Sequence, residues 1–181
     1  MRIIAGYHKG RVLHIPRNLP VRPTTDRAKE ALFNICGNLF EFEEKSVLDL
    51  FSGTGAISFE FVSRGCEKVW AVDQNRSCTE WIKKAAKQFG MINLSVHQMD
   101  SFKFMERSIH SFDVIFADPP YDMKNIEDLP NAVFKNAILK SDGWMIVEHA
   151  SQIDFSNHPY FFDHRKYGSV NFTFFQRKTD V

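Results

Sequence analysis

Between Ser46 and His149 the apolar residues fall into two alternating patterns. Short, almost continuously apolar runs read as strands: SVLDLF (46–51), KVWAVD (68–73), NLSVHQ (93–98), FDVIFAD (112–118) and GWMIVEH (143–149). The segments between them, AISFEFVSRG (56–65), RSCTEWIKKAAKQFG (76–90), SFKFMERSI (101–109) and EDLPNAVFKNAIL (127–139), read as helices. Strands that are apolar along their whole length are buried on both faces, so this alternation predicts a parallel sheet with helices on each side. The last stretch, YFFDHRKYGSVNFTFFQRK (160–178), has a different period. There Val170, Phe172 and Phe174 alternate with Asn171 and Thr173 after a YGS turn, which predicts an antiparallel hairpin closing the sheet.

The first 37 residues follow neither pattern. RIIAGYHKGRVLHIP (2–16) predicts two short strands around a Lys9-Gly10 turn. Pro16, Pro20 and Pro23 make PRNLPVRP (16–23) an extended connector, because each proline also biases the residue before it away from helix. TTDRAKEALFNICG (24–37) then predicts a helix with Thr25 or Asp26 as its cap, Ala28, Ala31, Leu32 and Ile35 on one face, and Gly37 as its stop. The expected layout is a small N-terminal β-hairpin and connector, residues 1–24, attached to an α/β domain, residues 25–181.

Composition narrows the class. At 181 residues and 44% hydrophobic residues the chain can bury a full core. It shows no charged-then-apolar leader and no run near the roughly 18 apolar residues of a membrane span, so a soluble cytoplasmic protein is expected. Cys36, Cys66 and Cys78 are odd in number and lack Cys-x-x-Cys spacing, which predicts reduced, packed thiols. The seven histidines are scattered, so no metal site is expected. Net charge is +1, yet residues 1 to 30 carry Arg2, Lys9, Arg11, Arg17, Arg22, Arg27 and Lys29 against Asp26 and Glu30. A basic arm on a mildly acidic body is the asymmetry expected where one region meets phosphates.

Candidate chemistry lies at the carboxyl ends of the strands, where open α/β sheets bind ligands. In LDLFSGTGAISFE (48–60), Gly53 and Gly55 let the backbone turn tightly and approach a ligand, and the next helix presents its N-terminus. Asp49 would repel a pyrophosphate but suits a ligand carrying an ammonium and a sulfonium, as S-adenosylmethionine does. The Gly-Thr-Gly order also differs from the nicotinamide fingerprint Gly-x-Gly-x-x-Gly. Asp73, at the end of KVWAVD, can accept both hydroxyls of a ribose. In MDSF (99–102), Asp100 can accept from an adenine amine and Phe102 can cover its ring; an acid at a strand end also serves as a helix cap. Phe51 and Ser101 fall inside the same two motifs and join the cofactor set.

ADPPY (117–121) ends the fourth strand beside that pocket. An exocyclic amine of a nucleobase is a poor nucleophile, because its lone pair is delocalised into the ring. Acceptors aimed at its N–H bonds can hold the lone pair in line with an electrophilic methyl. Asp118 and the Pro119 carbonyl supply such acceptors, Pro119 and Pro120 stiffen the backbone, and Tyr121 can stack on an extracted base.

RIIAGYHKGRVLHIP, RPTTDRAKEALFNI, VLDLFSGTGAISFE and VIFADPPYD together resemble the RsmD-like family of bacterial 16S ribosomal RNA guanine-N2 methyltransferases, across essentially the whole chain. The resemblance implies a Rossmann-like class I methyltransferase sheet and transfer of a methyl group from S-adenosylmethionine to the N2 amine of one guanine. It implies as partner the 16S rRNA of the small ribosomal subunit or a late assembly particle, and a monomeric enzyme. By the same resemblance Arg22, Pro23 and Thr24 lie near the donor and target base, and Arg2, Lys9 and Arg11 meet RNA phosphates. Two alternatives stay open on the residues alone: methylation of adenine N6 or protein glutamine, and a non-enzymatic RNA-binding assembly factor.

Overall fold

The computed structural model describes residues 1–21 and 24–177. Arg22 and Pro23, assigned above to the methyl-donor region, and Lys178, the last residue of the hairpin stretch, lie outside the described residues. Seven strands form one sheet: β1 (Ser46–Leu50), β2 (Lys68–Asp73), β3 (Leu94–Gln98), β4 (Phe112–Ala117), β5 (Leu139–His149), β6 (Phe161–Tyr167) and β7 (Val170–Phe175). Their order is β3-β2-β1-β4-β5-β7-β6. The first five are parallel, and β7 pairs antiparallel with both β5 and β6. The order reverses between β1 and β4, which opens a crevice beyond their carboxyl ends.

Alternation sorts the strand side chains into two cores. Val47, Val69, Val114, Phe116 and Ile146 pack against α1 (Asp26–Leu39), α2 (Ala56–Ser63) and α3 (Arg76–Phe89). Leu48, Leu50, Val72, Ile115 and Val147 pack against α4 (Ser101–Arg107) and α5 (Asp128–Lys135). Cys36, Cys66 and Cys78 are free and buried within these layers, as expected.

Three elements differ from the sequence pattern. Gly37 does not stop α1, which runs on to Leu39, because Leu39 and Phe40 still find apolar cover on the core. β5 begins at Leu139, a residue expected to be helical. Leu139 pairs with Phe112 across an irregularity in the register, and Gly143 permits the close approach: a Cβ there would lie 2.8 Å from Leu139 Cδ1.

The N-terminal hairpin is the third difference, formed but too short for two full strands: beside an antiparallel bridge between Arg2 and Val12, Ile3 N–H donates to the Arg11 carbonyl, Leu13 N–H to the Met1 carbonyl and Gly10 N–H to the Ile3 carbonyl. Its other amides reach α2. The amides of Ile4 and Ala5 donate to the Glu60 carboxylate at 2.9 and 3.0 Å, Tyr7 N–H donates to the Ser63 carbonyl, and His8 N–H to the Ser63 hydroxyl. Both polar residues belong to α2, every residue of which is buried. Ile3 and Leu13 sit in the same core as α1 and α2. Lys29, 1% exposed, completes the joint by donating to the Arg2 carbonyl at 2.5 Å and pairing with Glu60 at 3.5 Å.

Candidate active site

The glycine loop after β1 owes its shape to backbone geometry and to one carboxylate. Phe51, Gly53 and Gly55 all have positive φ, at 63°, 51° and 78°. At Gly55, a Cβ would lie 2.8 Å from the Phe59 ring and 3.0 Å from Ile82, so a larger residue is excluded by space as well as by φ. Asp73, at the end of β2, accepts from Gly53 N–H at 2.7 Å with one oxygen and from Asn75 N–H at 2.8 Å with the other. It therefore braces the loop, and its remaining lone pairs are available to a ligand. Asn75 in turn caps α3, and Trp81 donates its indole N–H to the Thr54 carbonyl.

Asp49 sits beneath this loop, 1% exposed, and accepts a short hydrogen bond from the Ser58 hydroxyl of α2. Burial pushes its carboxyl up to about 7, and the nearby charges of Asp118 and Asp73 act in the same direction. Burial likewise holds Asp118, at the end of β4, above the usual carboxylate range. Carboxyls crowded in this way are relieved by a cation.

These groups share one cavity of about 700 Å³. Asp49, Phe51, Gly53 and Asp73 line its floor, Asp100 and Ser101 one wall, and Asp118, Pro119, Pro120 and Tyr121 the other. Thr24 closes over it from the connector before α1. Asp100 also caps α4, its carboxylate accepting from Lys103 N–H at 3.1 Å, so both roles weighed for it fit its position. Tyr121 is 74% exposed at the rim of the cavity.

Two expected cofactor residues lie off the lining. Gly55 acts behind the loop by its conformation, and Phe102 packs, half-buried, against the core on the α4 side. Arg2, Lys9 and Arg11 lie at separate places on the α1, α2 and α3 side of the sheet. Arg2 is at the cavity end, paired with Asp26 at 3.7 Å. Lys9 is in the turn held by Ser63, at the far end of an eight-residue helix, about 12 Å along its axis. Arg11 donates to the Phe89 carbonyl at the end of α3 and covers the Phe89 ring.

Several residues in or beside the cavity were not singled out from the sequence. Pro20 and Val21 join Thr24 over the cavity, and Gln74 and Asn75 follow Asp73. Ser58, inside an apolar helix, reaches Asp49 only once the fold forms. Glu148, 6% exposed at the end of β5, feels the charge of Asp118. The signal for it existed, since it ends an apolar run just as Asp73 and Asp118 do. Among the described residues, no group of three or more acidic, histidine or cysteine side chains is arranged to hold a metal ion, and no helix is long and apolar enough to cross a membrane.

The family model described as Conserved hypothetical protein 95 matches residues 1–176. Ribosomal RNA small subunit methyltransferase D of Haemophilus influenzae is 33% identical over 155 residues, 82% of this chain and 78% of that protein. The Escherichia coli K12 protein of the same name is 28% identical over 148 residues, 82% and 71% of the two chains. Among solved structures, yhhF from Escherichia coli has a TM-score of 0.86 at 26% identity, with 99% of both chains covered. Coclaurine N-methyltransferase bound to N-methylheliamine and SAH has a TM-score of 0.57 at 26% identity, over 70% of this chain and 36% of that one.

Proposed function

Because the chain belongs to the family described as Conserved hypothetical protein 95, an RsmD-like family of S-adenosylmethionine-dependent rRNA methyltransferases, we propose that its acceptor is the exocyclic N2 amine of one guanine in 16S ribosomal RNA. One observation carries the acceptor chemistry: Asp118, Pro119, Pro120 and Tyr121 line the same cavity as the glycine loop, Asp49 and Asp73. The donor set fits the cofactor. Asp49 is a buried carboxyl that a sulfonium and an ammonium would restore to its ionised form, and Asp73 ends β2 where ribose hydroxyls can reach it. S-adenosylmethionine supplies, when bound, a methyl group made electrophilic by its sulfonium.

The chain's own residues do the rest. The Asp118 carboxylate and the Pro119 carbonyl accept the amine's N–H bonds, which orients the lone pair. Tyr121 stacks on the base, and Asp118 takes the proton that the nitrogen must shed. Arg2, Lys9, Arg11 and Arg22 contact the RNA, with Thr24 near the base. The substrate is the small subunit or a late assembly particle, and the enzyme acts as a monomer of a basic element, residues 1–24, and a methyltransferase domain, residues 25–181.

The test is methyl transfer from labelled S-adenosylmethionine to small subunits lacking their normal methylations, followed by nucleoside analysis. Labelled N2-methylguanosine is the expected product. Labelled N6-methyladenosine, or label in protein glutamine, would overturn the acceptor.

A further inference from the structure

β4 and β5 run side by side to their carboxyl ends, where Ala117 pairs with Val147, so Asp118 and Glu148 leave the sheet together. Glu148 lies two residues beyond Ile146, on the face of the sheet that also carries Phe116 and Asp49. It is 6% exposed, and its Oε2 has no hydrogen-bond partner among the described residues. A buried polar atom without a partner is costly and rare, so such an atom beside a reactive group calls for a role.

The polar groups around Glu148 are committed elsewhere. His149 bonds the Ala150 carbonyl and the Thr173 hydroxyl, Asn171 bonds His164 and the His149 carbonyl, and the residue across from Glu148 on β7 is Phe172. Its neighbour across the β4–β5 register is Asp118, whose charge acts on it and also on Asp49. Burial first, and then the charge of Asp118, raise Glu148 well above the ordinary glutamate range. Burial raises Asp118 towards neutral pH, so part of its population would be protonated and would offer a donor where an acceptor is needed. A neighbour that keeps the proton and donates it as a hydrogen bond removes that difficulty.

We propose that Glu148 is a positioning residue for Asp118: the two carboxyls share one proton near neutral pH, and Glu148 donates it to one Asp118 oxygen, leaving the other to accept the substrate amine. The proposal rests on Asp118 as the amine acceptor. When the amine sheds its proton, an N–H bond breaks and an O–H bond forms on Asp118. The pair then holds two protons and returns to one by release through the cavity.

Two measurements test this. Carbon-13 NMR titration of the side-chain carboxyls, on the whole protein without RNA, should show Asp118 titrating in two coupled steps. In Glu148→Gln, whose amide still donates, it should titrate in one. Identical Asp118 curves in the two proteins would overturn the pairing. In methyl transfer, Glu148→Leu should lower kcat at least tenfold at pH 7 with donor Kd within twofold, and Glu148→Gln should recover kcat to within threefold of wild type. An unchanged kcat in Glu148→Leu, or an equal loss of donor binding, would overturn the positioning role. A wild type that transfers no methyl to the subunit while its titration stays coupled would count against the acceptor alone and support the carboxyl pair.

Discussion

Asp49 is buried where a carboxylate is expensive, and the Ser58 hydroxyl, more than the Ser58 backbone N–H, is the donor that favours its charged form. Ser58→Ala removes that donor. Hydrogen bonds to charged groups contribute about 1.5–3 kcal/mol, so calorimetry should show S-adenosylmethionine binding weakened by an amount in that range. Unchanged affinity would mean that Asp49 does not meet the donor in its ionised form. Tyr121 lines the same cavity. If it stacks on the base, Tyr121→Ala should cost about 1–3 kcal/mol in kcat/KM while Tyr121→Phe keeps most of it, and steady-state kinetics on the subunit decides. Asp49, Asp73 and Asp118 were legible in the sequence because each interrupts or ends an apolar run beside a loop motif. Ser58 was not, because a serine inside AISFEF is indistinguishable from any helical serine until α2 lies against β1.

Among the elements, α2 has the most to explain. All eight of its residues are buried, including Glu60, because the N-terminal segment lies over the face that would otherwise meet water. Glu60 is satisfied by Lys29 of α1, by Arg64 and by two backbone amides. Lys29→Met should destabilise the protein by about 3 kcal/mol, the lower end of the range for breaking a buried pair, because Arg64 remains. Adding Glu60→Gln to that variant should recover part of the loss, and urea unfolding of wild type and both variants measures it. The strands and helices of the α/β region could be read from local periodicity to within a few residues. The anchorage of the N-terminal hairpin could not, since the amides of Ile4, Ala5 and His8 donate to residues 55 or more positions away. Lys29 counted as part of a basic arm in the sequence; in the fold it is a buried strut.

The molecule as a whole concentrates raised carboxyls at one end of the sheet, and its stability should depend on pH accordingly. Asp49, Asp118 and Glu148 bind protons more tightly folded than unfolded. Their contribution is fully present below their unfolded values, about 4, and is lost as pH rises through the folded ones. His8, His97, His149 and His158, held neutral by burial, work in the opposite direction, but their effect is complete by about pH 7. The urea midpoint should therefore fall between about pH 7 and 8.5. Saturating S-adenosylmethionine should raise the midpoint more at pH 8 than at pH 6, because the ionised carboxyls favour its cationic groups. A midpoint that rises across that window would show that these carboxyls ionise freely in the fold. In the proposed function, the same end of the sheet divides its labour between the donor, at the glycine loop, Asp49 and Asp73, and the acceptor, at Asp118. Parallel measurement of donor affinity and methyl transfer in Asp118→Ala tests that division most directly. Transfer to the subunit should fall by at least a hundredfold with the donor Kd within about twofold of wild type, a loss of about 2.7 kcal/mol in the transition state alone. Equal loss of binding and turnover would contradict it and move Asp118 to the donor side of the cavity.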